Sequence, residues 1–197
     1  MGLNPRGKEG ADYTREGFDS CQGWAACDYA ESKPKPHCTY VDDKWLDGRR
    51  KHRLQHRVPA VLRAVLRGLH LPDTDAAVRA IPKSCLYFSR TSSADRLRSL
   101  LELTRGAPES ARMDCWSYHE QVIRLVRPRV IVCNGNADEL SPYRRVQTEY
   151  APGGKELVGA RWKRGGRTKY TVIEKAPWFG RRALIVGLPH MSWNDPL

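Results

Sequence analysis

Apolar residues recur at helical spacing in three stretches of the chain and gather into short unbroken runs in four others. Between residues 54 and 69, Val58, Val61, Leu62, Val65, Leu66 and Leu69 fall on one face of a predicted helix. Arg57, Arg63 and Arg67 fall on its other side and read as a solvated face. A strand is predicted at residues 84–88, Ser84-Cys85-Leu86-Tyr87-Phe88, after which Ser92 or Ser93 caps a helix carrying Leu97, Leu100 and Leu101. The next helix, residues 114–126, is expected to bury Trp116, Val122, Ile123 and Val126 and to stop at Pro128. It feeds a strand at residues 129–133, and Asn134-Gly135-Asn136 turns sharply after it. Two strands follow, at residues 169–174 and 182–187, joined by Pro177-Trp178-Phe179-Gly180.

Helices alternating with short apolar strands predict an α/β fold, a three-layer sandwich. Its central, largely parallel sheet of four to five strands would be flanked by helices. The chain of 197 residues suits one domain spanning 1–197, with no internal repeat. Residues 8–44 are polar, with Lys33-Pro34-Lys35-Pro36 in their middle, and read as a long surface excursion.

A net charge of +12 and a pI near 9.7 favour a polyanionic partner, nucleic acid ahead of a membrane surface. The charge is uneven. Arg161, Lys163, Arg164, Arg167, Lys169, Lys175, Arg181 and Arg182 stand against the single acid Glu174, with Tyr170 and Trp178 interleaved. Such a strip can neutralise phosphates, or it can be a solvated β-hairpin. No apolar run is long enough for a membrane span, and no secretory signal is visible. Six cysteines contain no C-x-x-C pair, which disfavours a cluster or zinc site, although Cys21, Cys27 and Cys38 leave a metal open. Cys85 and Cys133 read as small core hydrophobes, and reduced thiols in an intracellular, cytoplasmic setting are expected.

Chemistry in open α/β sheets gathers beyond the carboxyl ends of the strands. Two loops qualify: Gly2-Leu3-Asn4-Pro5-Arg6-Gly7, and Leu188-Pro189-His190-Met191-Ser192, which follows the apolar run 183–187. Taken singly, Asn4 is a turn residue and His190 a loop histidine satisfied by backbone. Together they resemble the paired signature motifs of the uracil-DNA glycosylase superfamily, in branches with asparagine in the first motif. Ser84-Cys85-Leu86-Tyr87-Phe88-Ser89-Arg90 is similar to that family's central strand in uncharacterised bacterial relatives. Arg127-Pro128-Arg129-Val130-Ile131-Val132-Cys133-Asn134-Gly135 looks like its P-x-V-I-V-x-x-G strand and turn. Two departures stand out. Cys85 occupies the place of the asparagine that reads the pyrimidine edge, and a thiol substitutes poorly for an amide. The hydrophobic strand that would deliver the first motif has no counterpart ahead of Met1, and five residues follow Ser192. The expectation is therefore a chain trimmed at its ends or a sheet built differently.

The resemblance implies a monofunctional DNA glycosylase of base-excision repair, acting as a monomer on single- or double-stranded DNA without a metal or other cofactor. Asn4 would position a water behind the sugar, and His190 would donate to the departing base. Cys85 would lie at the base-recognition position, with Phe18 or Trp24 as an aromatic platform or as core residues. Pro5, Arg6 and Ser192 would touch DNA. Met191 and Trp193 would be wedges filling the gap left by the flipped base, Trp193 alternatively capping the core. Arg164, Arg167 and Lys169 would hold phosphates. The rival readings are a non-catalytic nucleic-acid-binding protein on the same fold, and a hydrolase of free nucleosides or nucleotides, which the basic strip disfavours.

Overall fold

The computed structural model of the chain describes residues 53–83, 99, 102, 116–137, 140–161 and 167–191. In chain order these form α1 (Arg53–Gly68), α2 (Asp75–Ala80), α3 (Trp116–Val126), β1 (Val130–Asn134), α4 (Pro142–Tyr150), β2 (Glu156–Arg161), β3 (Arg167–Ile173) and β4 (Ala183–Leu188). The polar stretch 8–44 and the strand expected at residues 84–88 lie outside the described residues. Of the helix expected around residues 97–101, Ser99 is described and is helical.

The protein is α/β, with an open mixed sheet flanked by helices. Among the described residues the strand order is β1-β4-β3-β2. β1 and β4 are parallel, with Val130 opposite Leu184 and Asn134 opposite Leu188. β3 is antiparallel to β4 on one side and to β2 on the other. This part of the sheet is thus mixed rather than largely parallel. The physical reason is the short link from β3 to β4: Gly180 N–H closes on Ala176 O at 2.7 Å and Ala176 N–H on Arg181 O at 2.8 Å. So tight a return reverses the chain, whereas a parallel neighbour needs a crossover of about a dozen residues or more.

β1 and β4 are apolar on both faces, as their unbroken hydrophobic runs require. On one face Ile131, Cys133, Ala183 and Ile185 join Trp116 and Ile123 of α3 and Tyr143 and Val146 of α4. On the other, Val132, Val186 and Leu188 meet Val58 and Val61 of α1 and Met191. Cys133 is the buried core thiol its position suggested.

The helices start and stop where local chemistry says they should. α1 runs through Pro59, which has no N–H to give the carbonyl one turn back. It ends with His70 at φ 56 and Leu71 N–H on Leu66 O at 2.9 Å, a left-handed C-terminal motif. That turn carries Leu69 off the buried face, so it is 40% exposed rather than core. α2 is capped by Thr74 Oγ1, which accepts from Ala77 N–H at 3.2 Å. At its other end Lys83 Nζ donates to Val78 O and Ile81 O, each at 2.6 Å. α3 stops at Arg127, φ 51, just before Pro128, and this leaves Val126 on the rim at 38% exposure instead of in the core. α4 opens on Ser141 Oγ, which accepts from Arg144 N–H at 3.3 Å, with Pro142 in its first turn.

Candidate nucleic-acid site at the carboxyl edge of the parallel strands

Because β1 and β4 run in the same direction, their carboxyl ends, Asn134 and Leu188, lie side by side. The Asn134-Gly135-Asn136 turn leaves one strand there, and Pro189-His190-Met191 leaves the other. Four hydrogen bonds bind these two loops to each other and to the sheet. Gly135 N–H donates to Leu188 O at 2.9 Å. Met191 N–H donates to Asn134 Oδ1 at 2.8 Å. The buried Asn136 amide donates to Gly187 O at 2.7 Å and to Arg167 O at 2.6 Å. Arg57 Nη1 adds a bond from α1 to Met191 O at 2.6 Å. His190 is therefore held between a buried Pro189 and a doubly anchored Met191; it is half-buried and engaged with a neighbour of its own.

Two glycines make this closeness possible. Gly135 sits at φ +123, a region that side-chain-bearing residues rarely adopt. At Gly187 a Cβ would stand 2.5 Å from the Tyr143 ring, so α4 approaches the strand as closely as it does only because that position is bare. Tyr143 is fully buried there and its hydroxyl shares a 2.6 Å hydrogen bond with Thr171 on β3. Burial pushes the Tyr143 hydroxyl above its ordinary pKa.

A cavity of about 460 Å³ runs along the outer side of β1, between α1 and α3, and reaches Asn134 and Met191. Its walls are mainly aliphatic, among them Val58, Leu62, Ile123 and Val132, with Lys83, His119, Arg127, Arg129 and Asn134 as polar members. Exposed Leu69, Leu71 and Val126 belong to the same lining.

The basic strip is partly engaged. Lys169 lies 3.3 Å from Glu156, and Arg144 lies 2.7 Å from the same carboxylate. Lys169 is accordingly a half-buried ion-pair partner rather than a free phosphate contact. Arg167 is exposed on the first position of β3, and Arg182 stands 3.5 Å from Glu174, both well exposed. Trp178, expected to interleave with the cations, is instead a core residue, edge-on to Tyr150 at 4.9 Å. It faces inward from the tight β3–β4 turn, in the cluster that also holds Ala176 and Ala183.

Of the catalytic, base-recognition and DNA-contact residues expected from the sequence, His190, Met191, Arg167 and Lys169 are described. Asn4, Pro5, Arg6, Phe18, Trp24, Cys85, Arg164, Ser192 and Trp193, with Cys21, Cys27 and Cys38, lie outside the described residues. Met191 is not an exposed wedge: it is 4% exposed, packs on Val61 and Leu188, and both its backbone polar groups are bonded. Arg57 is likewise not merely solvated, since it reaches across to that loop. Arg63 and Arg67 do stay on the outer face, paired with Asp75 and Asp73. Asn134 and Asn136 were read only as turn formers, and their second role was missed. The available signal was two amides flanking a glycine directly after a buried strand.

Among the described residues no three His, Cys, Asp or Glu side chains stand together as a metal site would need, and no helix is long and apolar enough to cross a membrane. Set against family models, curated proteins and solved structures, the chain matches none.

Proposed function

We propose that this protein is a DNA base-excision glycosylase, hydrolysing the N-glycosidic bond of a flipped, damaged or deaminated base, on a domain similar to the uracil-DNA glycosylase superfamily. On this reading the sheet is four- to five-stranded and sandwiched between helices, with the chemistry at its parallel pair β1 and β4. The observation that supports it best is the anchored His190 loop at the carboxyl ends of two parallel strands, the position where this class of sheet keeps its chemistry.

The reaction leaves positive charge on the sugar and negative charge on the departing base. A donor held rigidly at the base oxygen is worth more than one that must be ordered during the reaction. His190, fixed through its neighbours, supplies that donor, while Asn4 orients water on the opposite face of the sugar. Asparagine is a weak base, so turnover is slow. The net charge of +12 draws the polyanion in. Arg167 touches phosphate with Arg164, and Trp193 takes the wedge role that the buried Met191 does not fill. The protein works in the cytoplasm, as a monomer, without a cofactor.

Oligonucleotides carrying uracil, hypoxanthine, xanthine or a thymine mismatch, screened for abasic-site formation, test the reading. At least one is expected to lose its base. Cys85→Asn is expected to raise release of uracil, because it restores a donor and an acceptor at the base edge. The thiol at that position also favours a second reading, a nucleic-acid-binding protein that does not cleave. Tight DNA binding with no base released from any substrate would select it.

A further inference from the structure

The basic strip of residues 161–182 divides between two ends of the sheet. Because β3 is antiparallel to β4, Lys169 lies opposite Gly187 and Arg167 falls at the carboxyl edge, whereas Ile173 lies opposite Ala183 at the amino edge. Lys175, Arg181 and Arg182 therefore gather at the amino edge, where Ala176 N–H on Arg181 O at 2.8 Å closes the turn. A separate segment adds to them. β1 starts at the same edge: Arg129 O accepts from Leu184 N–H at 2.9 Å, and Arg127 shortly precedes it. All five cations are exposed. Among the described residues, Glu174 is the one acid paired with any of them, 3.5 Å from Arg182, and these two side chains are 76% and 71% exposed. Elsewhere Arg63, Arg67, Arg124, Arg144 and Arg145 each face a carboxylate. Five cations and one loosely held acid on a single edge repel one another, and an anion laid over them removes that cost.

We propose that this amino edge is a binding surface for the phosphate backbone of a nucleic acid, separate from the carboxyl edge. The two edges stand roughly 17 Å apart along β4, at about 3.4 Å per residue, beyond the reach of one arginine side chain. Four of the five cations are arginines, whose planar guanidinium gives a phosphate two parallel hydrogen bonds. The ends of three neighbouring strands, about 4.8 Å apart, present them in a row, which suits a charged polymer better than an isolated anion. A membrane surface is the poorer fit. Interfacial anchoring uses aromatic side chains, and the aromatics of this turn, Trp178 and Phe179, pack on the core instead. No base is read here, since contacts of this kind hold the backbone and carry no sequence information. The surface goes beyond the glycosylase reading and stands whether or not the carboxyl edge cleaves anything.

The test uses the full chain and a short lesion-free DNA duplex, with affinity followed by fluorescence anisotropy across a salt series. Two triple variants lose the same charge. Lys175→Gln/Arg181→Gln/Arg182→Gln acts on the amino edge, and Arg63→Gln/Arg67→Gln/Arg124→Gln acts on cations already paired with acids. The amino-edge triple is expected to bind at least about tenfold more weakly at about 0.1 M salt. Its log–log salt slope should be shallower by about two to three, since each backbone contact contributes roughly 0.9. The control triple is expected to stay within about threefold of wild type. Adding Arg129→Gln to the amino-edge triple should remove about one more unit of slope, the sign that both segments serve one surface. In wild type, duplex is expected to shift the backbone amide resonances of Lys175, Arg181 and Arg182, a readout that needs no variant. Equal losses in the two triples would mean that net charge alone is felt, and would overturn the proposal. So would no loss in the amino-edge triple, no further effect of Arg129→Gln, or unmoved resonances in wild type. Leu125 and Val126 stand exposed just before Arg127, so vesicles with and without an anionic phospholipid are titrated alongside. Wild-type binding to the anionic vesicles that exceeds duplex binding at equal phosphate would overturn nucleic acid as the partner. Catalysis separates this surface from the glycosylase reading. No base release from any lesion, with the salt slopes as expected, would sink that reading alone. Base release with an amino-edge triple that binds like wild type would sink this proposal alone.

Discussion

Asn136 is the residue on which the carboxyl edge most depends, because one buried amide satisfies two backbone carbonyls from different strands. Asn136→Ala removes both donors and leaves the buried Gly187 O and the half-buried Arg167 O without that partner. A loss of about 2–4 kcal/mol is expected in urea unfolding, together with faster exchange of the Gly135 amide. Gly187→Ala acts on the same edge by a different route. Its Cβ would strike the fully buried Tyr143 ring, and overpacking of that kind costs about 1–3 kcal/mol. If that is the cause, Gly187→Ala combined with Tyr143→Leu should recover part of the loss, and a simple sum of the two effects would argue against it. The sequence carried these residues only faintly. An N-G-N tripeptide announces a turn, and nothing in it says that the first asparagine holds a loop, and the second a strand, more than 50 positions away. Arg57 is the same lesson in a charged residue. Its periodic position says outer face, yet a guanidinium on a long stem can reach a carbonyl that periodicity knows nothing about.

Helices and strands that bury much apolar surface were legible; those that bury little were not. The apolar stripe of α1 and the runs in β1 and β4 each state their partner faces in the sequence, and the structure has them within a residue or so of where the pattern puts them. α2 and α4 escaped because each rests on few apolar side chains. α4 reads Pro-Tyr-Arg-Arg-Val-Gln-Thr-Glu-Tyr, and its stability comes from two deeply buried residues, Tyr143 and Val146, plus a capped start. β2 escaped because glycine and two charged ends break the alternation. The caps provide tests at this level. Ser141→Ala should cost about 1 kcal/mol, the usual value for losing an N-terminal cap, and chiefly loosen α4 in hydrogen exchange. His70 occupies a left-handed position at the end of α1. His70→Gly should therefore gain up to about 1 kcal/mol by relieving that backbone, visible as a raised urea midpoint with an unchanged slope.

At the scale of the molecule, the mixed sheet positions one polar edge and protects what lies beneath it. The Cys133 thiol, wholly buried below that edge, is pushed up by burial to about 11 from an ordinary value of 9.0. The folded state thus holds this proton to higher pH than the unfolded chain does. The associated stability is complete below pH 9 and is lost as pH rises towards 11. Burial acts in the same direction on Tyr150, pushed up to about 12, so the loss continues above that window. Urea titrations at pH 7 and pH 10.5 should show a smaller pH-dependent loss in Cys133→Ala than in wild type, and equal losses would mean that the thiol is not buried. The positive strip was legible as charge but not as free charge. Glu156, which neutralises Lys169 and Arg144, comes from a strand the hydrophobic pattern did not reveal.

On the proposed function, His190, held at the carboxyl ends of β1 and β4, helps a bound base to leave DNA. Single-turnover base release, measured on the oligonucleotide that wild type cleaves fastest, tests it directly when run beside His190→Ala with DNA affinity followed by fluorescence anisotropy. His190→Ala is expected to release base at least about a hundredfold more slowly, the scale of losing one preorganised donor, while its affinity for the same DNA stays within about threefold because phosphate contacts dominate binding. Base release by His190→Ala at the wild-type rate, or no release by wild type from any of the four lesions, would contradict it.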